Sequence, residues 1–271
     1  MNISNILSRK NRILLAELVR TDFKLRYQAS ALGYVWSVLN PLLLFTILYL
    51  VFDKFLGLGR GIEHYPVYLL TGIVLWRFFT EATNNGLKVI VSRGSLIRKI
   101  NFPKYILVLS GTVSSLINLG INLLVVLVFI LVNQVEISWG ALMIIPLIVE
   151  LYIFALALAF LLAAVNVKLR DVGYIWDVLL QAMFYAIPII YPLQRVLNKH
   201  EHIGQALLFN PIAQVIQDVR YFVINPRDTV TIWSFDLPVL LKLVPFLVIA
   251  ATVAFSVWYF RRNQGSFAEN I

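Results

Sequence analysis

The stretch YILVLSGTVSSLINLGINLLVVLVFILV, residues 105–132, runs from end to end without a charged side chain. A helix needs about 20 mostly apolar residues to cross the hydrocarbon core of a bilayer, so this segment is long enough to span. A β-barrel would instead alternate apolar and polar residues in segments of about ten. The reading is therefore an α-helical integral membrane protein. Composition agrees: the 271 residues are 60% hydrophobic and 14% charged, with a mean hydropathy of +0.81. Soluble domains carry about 25% charged residues, and a polar skin cannot be assembled from fewer over so large an apolar content.

Working outward from 105–132, five further segments read as spans: 31–52, about 66–91, 141–166, 173–193 and 238–260. The second continues as a more polar helix towards Val91. Residues 1–30 mix charges among leucines, which is not the pattern of a cleavable signal. Loop charges orient the spans. Residues 1–30 hold six basic and two acidic groups, and the loop after the second span holds Lys88, Arg93, Arg98, Lys99 and Lys104 with no acid. The loop after the fourth span holds Lys168, Arg170 and Asp171, and the tail after the sixth holds Arg261 and Arg262. The intervening loops are balanced or nearly uncharged. The excess of basic residues on one side places both termini in the cytoplasm, with six spans. That topology also accounts for the net charge of +9 without a nucleic-acid partner. Trp139, Trp233, Trp258 and Tyr259 fall near span ends, where amphipathic rings favour the interface.

Two segments are neither spans nor plain loops. Leu7, Leu14, Leu18 and Leu25 keep to one stripe of an N-terminal helix, with Arg9, Arg20 and Lys24 away from it. Such a helix lies in the membrane surface or packs on its own protein. Arg20, Lys24 and Arg26 are candidates to meet a lipid phosphate or to anchor the helix. In FNPIAQVIQDVRYFVI, 209–224, Asn210 suits an N-cap and Pro211 the first helical position. This helix is too short to cross, and Pro188 and Pro192 end or kink the fifth span. A re-entrant hairpin is the expectation.

Catalytic signatures are missing: there is no Walker motif, no HExxH, no GxSxG and no cysteine. His200 and His202 flank Glu201 in a polar loop too sparse in ligands for a metal site. Glu150 lies within the fourth span, where a carboxylate faces the bundle interior or water. It serves either a relay or a helix–helix hydrogen bond. Arg77, in the second span, has the same ambiguity. Arg170 and Asp171 form either a polar cluster at the inner mouth or, for Asp171, a carboxylate favoured by a helix N-terminus.

Six segments in order, LGYVWSVLNPLL, YLLTGIVLWRFF, LIRKINFPKYILVLS, VKLRDVGYIWDVLLQAMFYAIPIIYP, FNPIAQVIQDVRYFVI and YFRRNQGSFAENI, resemble the permease subunits of type-2 ABC exporters for polysaccharides and teichoic acids. The segments at 9–28 and 92–104 look closest to exporters of rhamnose-rich wall glycans. The resemblance implies one transmembrane domain over 1–271, with an interface helix at 1–28, a six-span bundle at 31–260 and a cytoplasmic tail at 261–271. It implies a bacterial cytoplasmic-membrane homodimer with two copies of a separate ATPase subunit. No cofactor is expected on this chain; ATP and magnesium would belong to the partner. Residues 93–102 look like the coupling helix that docks on that ATPase, through Arg93, Leu96, Ile97, Arg98, Lys99, Ile100 and Phe102. Charge alone would hold a loop to anionic lipid but would not call for the apolar members of that set.

The function implied is ATP-driven export of a lipid-linked polysaccharide, such as O-antigen, teichoic acid or a rhamnose-rich glycan. Candidate pathway rings are Tyr34, Trp36, Tyr49, Trp176, Phe184 and Tyr185, and Asn210 and Arg220 mark the outer helix. A lipid or drug exporter of the same architecture is the alternative. A secondary transporter should show an internal repeat, and none is visible.

Overall fold

The computed structural model describes residues 8–27, 33, 35–100 and 102–270, except the side chains at 25–27, 268 and 270. The described chain is helical, with no strand among its described residues. Helix α1 covers Arg9–Tyr27, α2 Val35–Leu48, α3 Tyr65–Ser92, α4 Gly94–Lys99 and α5 Tyr105–Val132. After these come α6 (Ile144–Lys168), α7 (Val172–Ala186), α8 (Leu193–Leu197), α9 (Glu201–Leu207) and α10 (Pro211–Val223). The chain closes with α11 (Val239–Lys242), α12 (Val244–Asn263) and α13 (Phe267–Asn270).

Among the described residues four stretches are long and apolar enough to cross a membrane: Val35–Phe55, Tyr105–Val132, Trp139–Lys168 and Val244–Ser266. The other two expected spans differ for physical reasons. Helix α3 has 28 residues but carries Arg77, Glu81 and Lys88. Helix α7 has 15 residues, about 22 Å at the α-helical rise. It stops short of the expected 173–193 because Ile187 precedes Pro188 and takes an extended backbone. Pro245 likewise sits in the first turn of α12, so that helix begins later than the expected 238. Helix α2 runs on into π-helical turns over Tyr49–Phe55, and Pro41 lies within it.

Helix α3 is the axle of the fold, packed on both α5 and α6. Its contact with α6 depends on small residues: a Cβ on Gly86 would overlap Ala159. Between apolar helices in lipid, such close approach supplies the packing that hydrophobic exclusion cannot. One buried cluster joins α3 to α10 through Tyr68, Leu69, Ile73, Ile212, Val215 and Val219. A second, at the end carrying α4, joins Leu18, Ile90, Ile97, Ala163, Phe260 and Phe267. The outer surface stays apolar, as a lipid solvent permits: Leu124, Val128 and Leu131 of α5 are exposed.

Helix α1 packs on α5, with Leu18 buried and Leu14 half-buried, while Arg9, Arg20 and Lys24 are exposed. Leu7 and the side chains of Leu25 and Arg26 lie outside the described residues. Helix α10 begins as its composition suggests: Asn210 Oδ1 accepts from the Ile212 N–H at 2.9 Å. It is buried almost all round, within reach of α3 and α6.

Candidate functional site

The polar residues of α3 are not scattered. Arg77, Glu81, Asn84, Asn85 and Lys88 recur at spacings of three and four, which places them on one helical face. The part of that face from Arg77 to Asn85, with α2 and α7, lines an open groove of about 800 Å³. Asn40 comes from α2, Asp177 and Gln181 from α7, and Asn118 reaches in from α5. Four rings, Trp36, Trp76, Phe184 and Tyr185, also line it.

Within the groove, charged groups are held by carboxamides. Arg77 Nη1 donates to Asn40 Oδ1 at 2.5 Å. Asn118 Nδ2 donates to Glu81 Oε2 at 2.7 Å, and Asn84 Nδ2 to Asp177 Oδ1 at 3.3 Å. These bonds span α2 to α3, α5 to α3, and α3 to α7, so the polar lining also ties the helices together. Thr80 Oγ1 and Asn118 Oδ1 are buried there without a hydrogen-bond partner among the described residues. Trp76 and Phe184 lie with ring centroids 6.1 Å apart, and Trp36 and Tyr185 are exposed. Open aromatic faces beside amides and hydroxyls are suited to a ligand with both flat apolar faces and hydroxyl edges.

A second, smaller cavity adjoins this groove and shares Asn85 with it. It is lined by Lys88, Ser92, Arg93, Ser114 and Asp22. Arg93 forms an ion pair with Asp22, tying the start of α4 to α1.

Of the six rings expected along a pathway, Trp36, Phe184 and Tyr185 line the groove. Tyr34 lies outside the described residues. Tyr49 stacks on Phe45 at 5.7 Å, away from the groove. Trp176 is turned towards the α3 core, where its Nε1 donates to Thr83 Oγ1 at 3.1 Å. Trp76 and the amides were not singled out from sequence, although the three- and four-residue spacing along α3 carries that signal.

The other singled-out residues fall elsewhere. Arg220 is fully buried. Its guanidinium donates to the carbonyls of Tyr68 (3.0 Å), Pro188 (2.6 Å) and Ile189 (2.8 Å), and it lies 3.5 Å over the Tyr68 ring. It latches α10 to α3 and to the non-helical turn after α7. Glu150 is half-buried on α6. It hydrogen-bonds Gln214 and feels the charge of Asp218, both on α10, and Gln214 Nε2 donates to Asp218 Oδ2 at 2.6 Å. Arg170 and Asp171 are exposed at the start of α7, where Asp171 takes the N-cap position without a side-chain cap bond.

A sequence model of the ABC-2 type transporter family matches residues 14–222, which include every residue of the groove. The chain belongs to the ABC-2 type transporter family. It is 30% identical over 261 residues to the O-antigen export system permease protein RfbA of Myxococcus xanthus, covering 96% of each chain. A protein of the same name from Klebsiella pneumoniae is 31% identical over 217 residues, 78% of this chain and 80% of the relative. The polysialic acid transport protein KpsM of Escherichia coli is 20% identical over 217 residues, 76% of this chain and 79% of the relative.

In this ABC-2 chain the segment expected to couple to an ATPase divides into two faces. Ile97 is buried against its own bundle, and Leu96 and Phe102 are half-buried. Arg98, Lys99 and Ile100 are exposed, and Arg93 is engaged by Asp22. Phe267, from the C-terminal α13, is wholly buried in the same cluster as Ile97.

Proposed function

We propose that this protein is the transmembrane subunit of an ATP-driven exporter that moves a lipid-linked polysaccharide across the bacterial cytoplasmic membrane. The observation that carries this reading is the groove: amides, hydroxyls and open aromatic faces set between helices whose outer surfaces are apolar. Such a lining is costly in lipid unless something polar passes along it. The similarity to O-antigen export permeases, over nearly the whole chain in one case, supports a glycan as that cargo.

In this reading α3 and α7 complete a six-span bundle, and both termini are cytoplasmic. Two copies face each other across α2 and α7, so that two grooves form one pathway. The exposed apolar face of α7, with Ile175, Val178 and Leu179, supports that pairing. Helices α8 to α10 form a re-entrant outer layer. Two copies of a separate ATPase, carrying ATP and magnesium, dock on α4 through Arg98, Lys99 and Ile100. Their closure pushes α4, which the Arg93–Asp22 pair and the Ile97–Phe267 packing connect to α1 and α13. Arg20, Lys24 and Arg26 attend the lipid phosphate at the inner interface.

The test is export by the complex. Cells lacking this gene should accumulate lipid-linked glycan on the inner leaflet and lose it from the surface, and both should be restored by the gene together with its ATPase. Transport by the purified chain alone on an ion gradient would overturn the reading.

A further inference from the structure

The charge of the groove says which glycans suit it. Its lining holds one guanidinium, Arg77, and two carboxylates, Glu81 and Asp177, a formal charge of −1. The rest of its polar lining is neutral, mostly carboxamides. The adjoining cavity has the opposite balance, Lys88 and Arg93 against Asp22. Asn85 borders both, so a ligand passing between them leaves a cationic zone and enters an anionic one.

Resting on the pathway reading above, we infer that the groove selects uncharged polysaccharide and rejects polyanionic polymer. A sugar hydroxyl both donates and accepts, and so does each carboxamide pair. The unpartnered Thr80 Oγ1 and Asn118 Oδ1 are complementary to such hydroxyls. Trp36 and Tyr185 present exposed faces that stack on the C–H side of a pyranose ring without demanding charge. A carboxylated or phosphorylated polymer meets Glu81 and Asp177 with every repeat that passes. In a site partly screened from water, one like-charge encounter at contact range weakens binding about tenfold or more. A single diphosphate at the lipid end meets this barrier once and has Lys88 and Arg93 beside it beforehand.

The experiment uses the full chain with its ATPase in nanodiscs. Tryptophan fluorescence is titrated with mannohexaose and with hexameric polysialic acid, at low and at high salt, and Trp36→Phe and Trp76→Phe identify the groove's share of the signal. The neutral oligomer should bind about tenfold more tightly than the anionic one at low ionic strength. The gap should narrow at high salt, where charges are screened, and close in the Glu81→Gln/Asp177→Asn double variant. The salt series tests the idea in the unaltered protein should that variant fail to fold. Equal or tighter binding of the anionic oligomer, or a gap indifferent to both salt and the variant, overturns the inference while leaving glycan export standing. If neither oligomer alters the groove's fluorescence, the inference fails and the pathway reading is left to its own export test.

Discussion

Gly72 and Arg220 occupy one space: a Cβ on residue 72 would overlap Nη2 of Arg220. The glycine on α3 lets a fully buried guanidinium lie against the helix and bind three backbone carbonyls. Those carbonyls belong to α3 and to the turn after α7, so one side chain closes the far end of the bundle. Charged hydrogen bonds of this kind contribute about 1.5–3 kcal/mol each, and leaving their partners buried and unpaired costs a comparable amount. Arg220→Met should therefore destabilise the protein by about 3 kcal/mol or more. Gly72→Ala should do so through the same contacts, and the double variant should lose less than the sum. Thermal unfolding in detergent, followed by size-exclusion chromatography, reads all three; strict additivity would show that the two residues do not act as a unit.

The pair Glu150 and Asp218 is a liability of the opposite sign. Glu150 feels the charge of Asp218, and among the described residues no cationic side chain offsets it at either carboxylate. Glu150→Gln keeps a hydrogen-bonding group beside Gln214 and removes the repulsion. It should stabilise the protein by about 1 kcal/mol, allowing for the partial exposure of Glu150. A lowered melting temperature would mean that the charge itself is needed there.

Helix α4 separates folding from docking within a few residues. Ile97→Asp places a charge in the cluster containing Ala163 and Phe267, and should lower thermal stability strongly. Lys99→Glu and Ile100→Asp alter exposed side chains. They should leave melting unchanged within about 0.5 kcal/mol, yet weaken retention of the ATPase in a pull-down. If the surface variants keep the ATPase, docking lies elsewhere on the chain.

The close approach of α3 and α6 makes Gly86 intolerant. Gly86→Leu should drive the two helices apart, because the contacting atoms include Ala159 backbone. Loss of folded protein on chromatography is the expected outcome. A normal elution profile would imply that these helices have room to move.

Much of this architecture can be read from sequence because membrane burial leaves a coarse signal. The uncharged run at 105–132, the Asn210–Pro211 start of α10 and the basic turn around α4 each follow from local chemistry. What sequence did not reveal depends on partners far along the chain. Arg93 reads from sequence as available for an outside contact, but Asp22, 71 residues away, lies beside it. Glu150 showed no acidic neighbour in sequence because Asp218 reaches it only through the packing of α10. Aromatic residues were the least legible: Trp176 and Tyr185 lie on the same short helix, yet one faces the α3 core and the other the groove. By contrast, the polar face of α3 was present as a spacing from Arg77 to Lys88, obscured by the apolar residues between.

The central claim is that cargo passes along the groove. The protein contains no cysteine, so single cysteines at Gln181 in the groove and at Leu124 on the lipid-facing side of α5 report without background. Each variant is loaded with a bulky maleimide and assayed for glycan export with its ATPase. The account predicts that modification at position 181 stops export while modification at 124 leaves it intact; export continuing at full rate past a fully labelled position 181 would contradict it.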